Sequence, residues 1–236
     1  MNGFQAQVNQ YPAPGVEGSF ASNNPMSNAI AGAGAYVVGP YGVTVARFVW
    51  SPDLMNLYNT NNPAANVGAP IGFLANEQQG LNTVFLSASG MTMTPGAIAE
   101  PFTRGDFWAK MSAASTGVNQ KAFANVNTGA VYPATSGSPP QTFAGTASFA
   151  TNVMTVVTET SGTITVGTLI TSAGVAAGTY VSSFGTGNGG TGTYNLSTTP
   201  GTIATQAATG TAYVETPFYV LSAANSGELA KIGLGN

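Results

Sequence analysis

The stretch FGTGNGGTGTYNLS, Phe184 to Ser197, contains G-x-G-x-x-G twice, on Gly185, Gly187 and Gly190 and again on Gly187, Gly189 and Gly192. That spacing serves dinucleotide chemistry when a strand precedes the glycines, a helix follows, and an acidic residue stands about 20 positions on for the ribose. The helix is needed because its N-terminal N–H groups and dipole hold the pyrophosphate. Here the glycines run into TYNLSTTPG, a strand pattern and a Pro-Gly turn, and no Asp or Glu follows before Glu215. There is no Gly-Lys-Ser/Thr either, so a P-loop fails as well. The segment reads as a hairpin loop.

Hydrolytic chemistry finds as little support. The chain has no histidine and no cysteine, which removes a Ser–His–Asp triad, a histidine base, thiolate nucleophiles, disulfides and zinc held by those residues. Carboxylate pairs are left: Glu100 with Asp106, or Asp53 with Glu77, could flank a glycosidic bond. The plainer reading places each at a turn or strand end in solvent. The aspartates are too far apart in sequence for a calcium loop, which clusters its oxygen ligands within about a dozen residues. Arg104-Gly105-Asp106 spells an integrin-ligand tripeptide, yet Gly-Asp directly before FWAKM reads as the turn entering a strand. These residues point to a protein that is not an enzyme and takes no cofactor or metal.

The elements that must position any site are strands. From Ala35, AYVVGPYGVTVARFVW gives two β-rich runs around Gly39-Pro40-Tyr41-Gly42, the pattern of a hairpin. In the second run Val43, Val45, Arg47 and Val49 share one face, and Thr44, Ala46, Phe48 and Trp50 the other. GFLANEQQGLNTVFLSASGMTMTPG supplies further short strands broken at 76–80 and 87–90. GDFWAKM sets Phe107, Ala109 and Met111 opposite Trp108 and Lys110. No window carries a 3.6-residue period. The expected fold class is all-β.

Residues 1–35 differ. Pro12, Pro14 and Pro25 punctuate them, apolar residues recur without a period, and Glu17 is the single charged side chain. Such a stretch suits an extended arm. Beyond the SGSPP linker, Ser136 to Pro140, residues 141–212 turn rich in Thr and Gly, and Glu159 is their single charge. Strand runs there alternate with turns at the spacing of a small β-sandwich. After Ala212 larger side chains return. The division expected is an arm at 1–35, a β-sandwich or jelly-roll-like body at 36–135 plus 213–236, and an inserted β-module at 141–212.

Composition limits the partners. Apolar residues are 43% of the chain, enough for a core, whereas charged residues are 6%, against roughly a quarter in ordinary globular proteins. A surface this poor in charge does little to keep molecules apart. Arg47, Arg104, Lys110, Lys121 and Lys231 are scattered and the net charge is −3, which argues against nucleic acid. No run approaches the ~20 apolar residues of a membrane helix. The opening MNGFQAQVNQ has neither the basic nor the apolar region of a signal peptide.

Taken together, GFQAQVNQYPAPGVEGSFASNNP, GPYGVTVARFVW, GFLANEQQGL, GMTMTPGAIAEPFTRGDFWAKM and the ending ETPFYVLSAANSGELAKIGLGN resemble the capsid cement (decoration) proteins of tailed bacteriophages over about 1–133 and 214–236. The Thr/Gly-rich middle is similar to β-modules spliced into phage virion proteins. The resemblance implies a structural protein of the virion, made in the bacterial host cytoplasm and seated on the outer capsid surface. Its implied partners are the major capsid protein and further copies of itself, as a homodimer or homotrimer. It implies no catalytic residue. The capsid contacts expected are Phe4, Tyr11, Pro12 and Phe20 of the arm, with weak carbohydrate contact through 141–212. A phage tail-fibre or receptor-binding module recognising surface carbohydrate is the competing class.

Overall fold

The computed structural model describes residues 15–31, 34–59, 68–76 and 91–234, and these are all-β. The first strands are short: β1 (Ser27–Asn28), β2 (Val37–Val38), β3 (Val43–Thr44), β4 (Arg47–Val49), β5 (Asn56–Leu57), β6 (Gly72–Leu74), β7 (Thr92–Met93), β8 (Phe102–Arg104), β9 (Phe107–Lys110), β10 (Gln120–Asn125) and β11 (Val131–Ala134). Then come β12 (Phe143–Ala150), β13 (Val153–Gly162), β14 (Leu169–Ser172), β15 (Val181–Phe184), β16 (Gly192–Leu196) and β17 (Ile203–Thr211). The chain closes with β18 (Tyr213–Val220) and β19 (Leu229–Leu234).

A β-sandwich-like core lies between two sheets, ordered β11-β10-β18-β19-β9 and β1-β8-β6-β4. Phenylalanines fill the space between them. Phe48 of β4 meets Phe218 of β18 at 5.5 Å between ring centroids, and Phe73 of β6 meets Phe107 of β9 at 5.1 Å. Pairs at such distances add about 0.5–1.5 kcal/mol each beyond the area they bury. The four-stranded sheet is covered on its other face too. There Val49 and Leu74 pack with Val45 and with Val43, Leu57 and Met93 of the small β2–β5 and β3–β7 pairs.

This layering accounts for the alternation read from the sequence. Ala46, Phe48 and Trp50 lie in the cluster between the sheets, and Val43, Val45 and Val49 in the outer one. Phe107, Ala109 and Met111 likewise point into the first cluster. β4 buries Phe48 on one face and Val49 on the other because it belongs to a middle layer.

The hairpin expected around 39–42 does not form. β2 pairs in parallel with β5, and β3 pairs antiparallel with β7. The Gly42 N–H still bonds the Gly39 carbonyl at 3.0 Å, so a turn exists, but Pro40 sits at its second position. Proline there favours type I or II turns, whose twist splays flanking strands instead of pairing them. The turn hands the chain from one small sheet to the next.

Residues 143–208 contribute every member of a separate buried cluster, including Phe143, Phe149, Met154, Ile170 and Tyr194, on the sheet β14-β17-β12-β13-β16-β15. The segment's two ends lie side by side. The Thr142 N–H bonds the Gly210 carbonyl at 2.8 Å, and the Thr211 hydroxyl donates to the Pro140 carbonyl at 2.7 Å.

The double glycine motif is the connection between the antiparallel strands β15 and β16. One of its glycines makes room for a ring: a Cβ on Gly187 would run into Tyr194. The buried Tyr194 hydroxyl accepts the Gly189 N–H at 3.0 Å and donates to the Gly190 carbonyl at 2.6 Å.

Candidate functional site

The segment from Gly15 to Ala31 is laid along the body. The Gly18 N–H bonds the Trp108 carbonyl at 2.6 Å, the Trp108 N–H bonds the Ser19 carbonyl at 2.9 Å, and the Ala21 N–H bonds the Asp106 carbonyl at 2.8 Å. β1 then pairs antiparallel with β8. Phe20 is half-buried, with its ring 5.3 Å from both Phe102 and Phe107. The ring packs at the β8–β9 corner, and its half-exposed side is the part left for the capsid contact expected of it. Phe4, Tyr11 and Pro12 lie outside the described residues.

The carboxylates considered for catalysis hold that same segment. Asp106 accepts the Ser22 hydroxyl and the Asn24 side-chain amide, each at 2.6 Å. Glu100 accepts the Asn28 amide at 2.7 Å. Glu17, on the segment itself, pairs with Arg47 at 2.7 Å. Three acidic residues thus tie 17–28 to the body, a use that sequence reasoning missed. The available signal was Ser22, Asn24 and Asn28, polar side chains in a stretch almost without charge.

Asp53 closes a turn. It accepts the N–H groups of Met55 at 3.2 Å and Asn56 at 2.7 Å, and the Asn56 side-chain amide at 2.6 Å. The Asn56 amide, above all, holds its carboxyl below the usual carboxylate range. Its proposed partner Glu77 lies outside the described residues. Among the described residues no three of His, Cys, Asp and Glu come together as metal ligands, and no helix is long and apolar enough to cross a membrane. Two lysines lie over aromatic rings, Lys121 at 3.8 Å from the Tyr219 centroid and Lys231 at 5.2 Å from that of Trp108.

Glu215 sits where β18 passes the linker. It accepts the Gly137 N–H and the Ser136 hydroxyl, both at 2.8 Å. The Gly137 bond, chiefly, holds its carboxyl below the ordinary value, aided by Ser136 and Lys121. A depressed folded-state pKa gives stability that is present above the unfolded value of about 4.3 and is lost as pH falls through the lower folded value. Glu215→Gln should therefore lower stability at pH ~7 by at most about 1 kcal/mol, the ceiling for exposed charge contacts. In thermal melts the gap between variant and parent should close toward acid. A gap that widens below pH ~4 would contradict this assignment.

In this all-β protein the carboxylates close turns and fasten a segment, and Gly187 of the nucleotide-like motif packs on a tyrosine. Comparison with protein families places it further. Residues 4–158, about two thirds of the chain, match the family described as XM1 gp53 minor capsid protein, and the chain belongs to that family. It is a structural capsid protein of a phage virion. The match runs past the SGSPP linker through β12 and into β13. A search of curated proteins found no match.

Proposed function

We propose that the protein is a cement protein, which binds the outer surface of the phage shell and stabilises the junctions between capsomers. The observation that carries this reading is membership of a minor capsid protein family. The low charge of the surface supports it, because such a surface offers little resistance to close association with other protein. In this reading residues 15–31, with the rest of the body, form a platform, and the segment before Gly15 carries Phe4, Tyr11 and Pro12 to the major capsid protein. Residues 141–212 are an inserted module that projects from the particle and contributes little to the clamp.

Reconstitution tests both parts. Purified protein added to undecorated shells should raise the temperature at which they break. A variant in which a short Gly/Ser linker replaces residues 141–212 should raise it equally, because the segment's ends are adjacent and loop-closure cost changes slowly with length. No protection from the full chain would remove the cement role. Protection by the full chain but not by the variant would make the module part of the clamp.

A further inference from the structure

The β15–β16 connection contains Asn188-Gly189. Asparagine is among the thermolabile residues, and a following glycine, having no Cβ, leaves its cyclisation unhindered. The reaction has two steps. The Gly189 backbone nitrogen, giving its proton to hydroxide, attacks Cγ of Asn188. The new N–Cγ bond closes a cyclic succinimide, and the Cγ–Nδ2 bond breaks, the leaving group taking a proton from water to depart as ammonia. Water then opens the ring at either carbonyl and leaves aspartate or isoaspartate. The first step requires the Gly189 nitrogen to turn toward Cγ with its N–H free.

In the folded module that N–H is engaged. It donates to the Tyr194 hydroxyl at 3.0 Å, and the hydroxyl donates in turn to the Gly190 carbonyl at 2.6 Å. The Gly189 carbonyl accepts the Ile164 N–H at 2.8 Å. Tyr194 is 0% exposed, and Gly189 is buried although Asn188 is exposed. Both backbone polar groups of Gly189 are thus anchored. Its nitrogen reaches the Asn188 side chain only by breaking a buried hydrogen bond, which is costly to leave unmade. Burial, opposed in part by the Gly189 N–H, raises the pKa of the Tyr194 hydroxyl above its ordinary value. The hydroxyl therefore remains a donor in the mildly alkaline range, where hydroxide drives the reaction.

We propose that Asn188 is a deamidation site held inactive by the Tyr194 hydroxyl, which keeps the Gly189 nitrogen out of succinimide formation while the module is folded. The modification matters because Glu159 is the single charge of residues 141–212, with no Lys or Arg among them. A Cβ on Gly190 would meet the Glu159 carboxylate, so deamidation sets a second carboxylate in the loop that the first one borders. The isoaspartate product also lengthens the main chain between β15 and β16. The proposal does not rest on capsid binding and is tested on the free protein.

The full chain is incubated in mildly alkaline buffer, folded or unfolded in urea, and the peptide containing Asn188 is followed by mass spectrometry with isoaspartate detection. In urea, Asn188 and Asn2, which precedes the chain's other Asn-Gly glycine, should both convert. Folded Asn188 should convert at least about 10-fold more slowly than in urea, because the reaction waits for local opening. Tyr194→Phe keeps the ring and loses the hydroxyl, and it should speed folded Asn188 about 3- to 10-fold, the worth of one hydrogen bond. Phe149→Leu, a change at a 2% exposed core position of the same module, controls for general loosening and should leave the parent's rate. Equal rates for folded and unfolded parent would overturn the proposal. So would a Tyr194→Phe rate no higher than that of the parent or of Phe149→Leu. Hydrogen exchange of the parent decides even if Tyr194→Phe does not fold: the Gly189 amide should exchange as slowly as the β12–β13 ladder, and fast exchange there would refute the latch.

Discussion

Replacing Phe107 by alanine is expected to destabilise the body by about 3–5 kcal/mol, the range for emptying a fully buried aromatic site. Phe107 is 0% exposed. Its ring centroid lies 5.3 Å from Phe20, 5.1 Å from Phe73, 5.4 Å from Phe102 and 6.3 Å from Phe218. One side chain thereby joins the N-terminal segment, the four-stranded sheet and the five-stranded sheet. Domains are stable by only about 5–15 kcal/mol in total, so the loss takes a large share. The cluster of 143–208 shares no residue with this one. Calorimetry should therefore show two transitions in the parent, of which Phe107→Ala moves one down by more than about 10 °C and leaves the other in place. A single transition that moves as a whole would mean that the module and body unfold together.

The parts of the fold legible in the sequence were those set by period two. The alternation from Val43 to Trp50 assigned side chains to two faces, and it holds for the apolar ones, Ala46, Phe48 and Trp50 on one and Val43, Val45 and Val49 on the other, although a break at Ala46 separates β3 from β4. What packs on each face was not legible, since that depends on partners far away in the chain. The same limit explains the 39–42 turn: the glycines and proline announced a turn, but not that its flanking strands would find β5 and β7. The ties from Glu100 and Asp106 to Asn28, Ser22 and Asn24 span 72 to 84 positions. No local pattern records them, and carboxylates that looked available for chemistry were holding a segment in place. The glycine motif was read as a hairpin loop, and it connects the antiparallel strands β15 and β16. The clearance that Gly187 gives the Tyr194 ring is tertiary and left no local pattern.

Removing residues 1–14 is expected to abolish binding to shells while leaving the body's melting temperature unchanged. The ties from Glu17 to Arg47, from Ser22 and Asn24 to Asp106, and from Asn28 to Glu100 all lie beyond the cut. So do Phe20 and β1, and truncation to residue 31 would remove them and destabilise the body with the arm. The two truncations separate anchoring from folding. Fourteen extended residues reach roughly 45 Å, far enough to lie across a neighbouring capsid subunit. They carry Phe4 and Tyr11 as aromatic anchors and no charged side chain. Aromatic side chains dominate binding energy, with single truncations at the strongest positions costing about 2–4 kcal/mol. Phe4→Ala with Tyr11→Ala should accordingly reproduce most of the loss, roughly 30-fold or more for each anchor. Because this stretch lacks charge, the loss should differ little between low and high salt, whereas an arm held by exposed ion pairs would be screened. Occupancy counted on shells by cryo-electron microscopy decides the matter: full occupancy by the chain lacking 1–14 would move the anchor from the arm to the folded body.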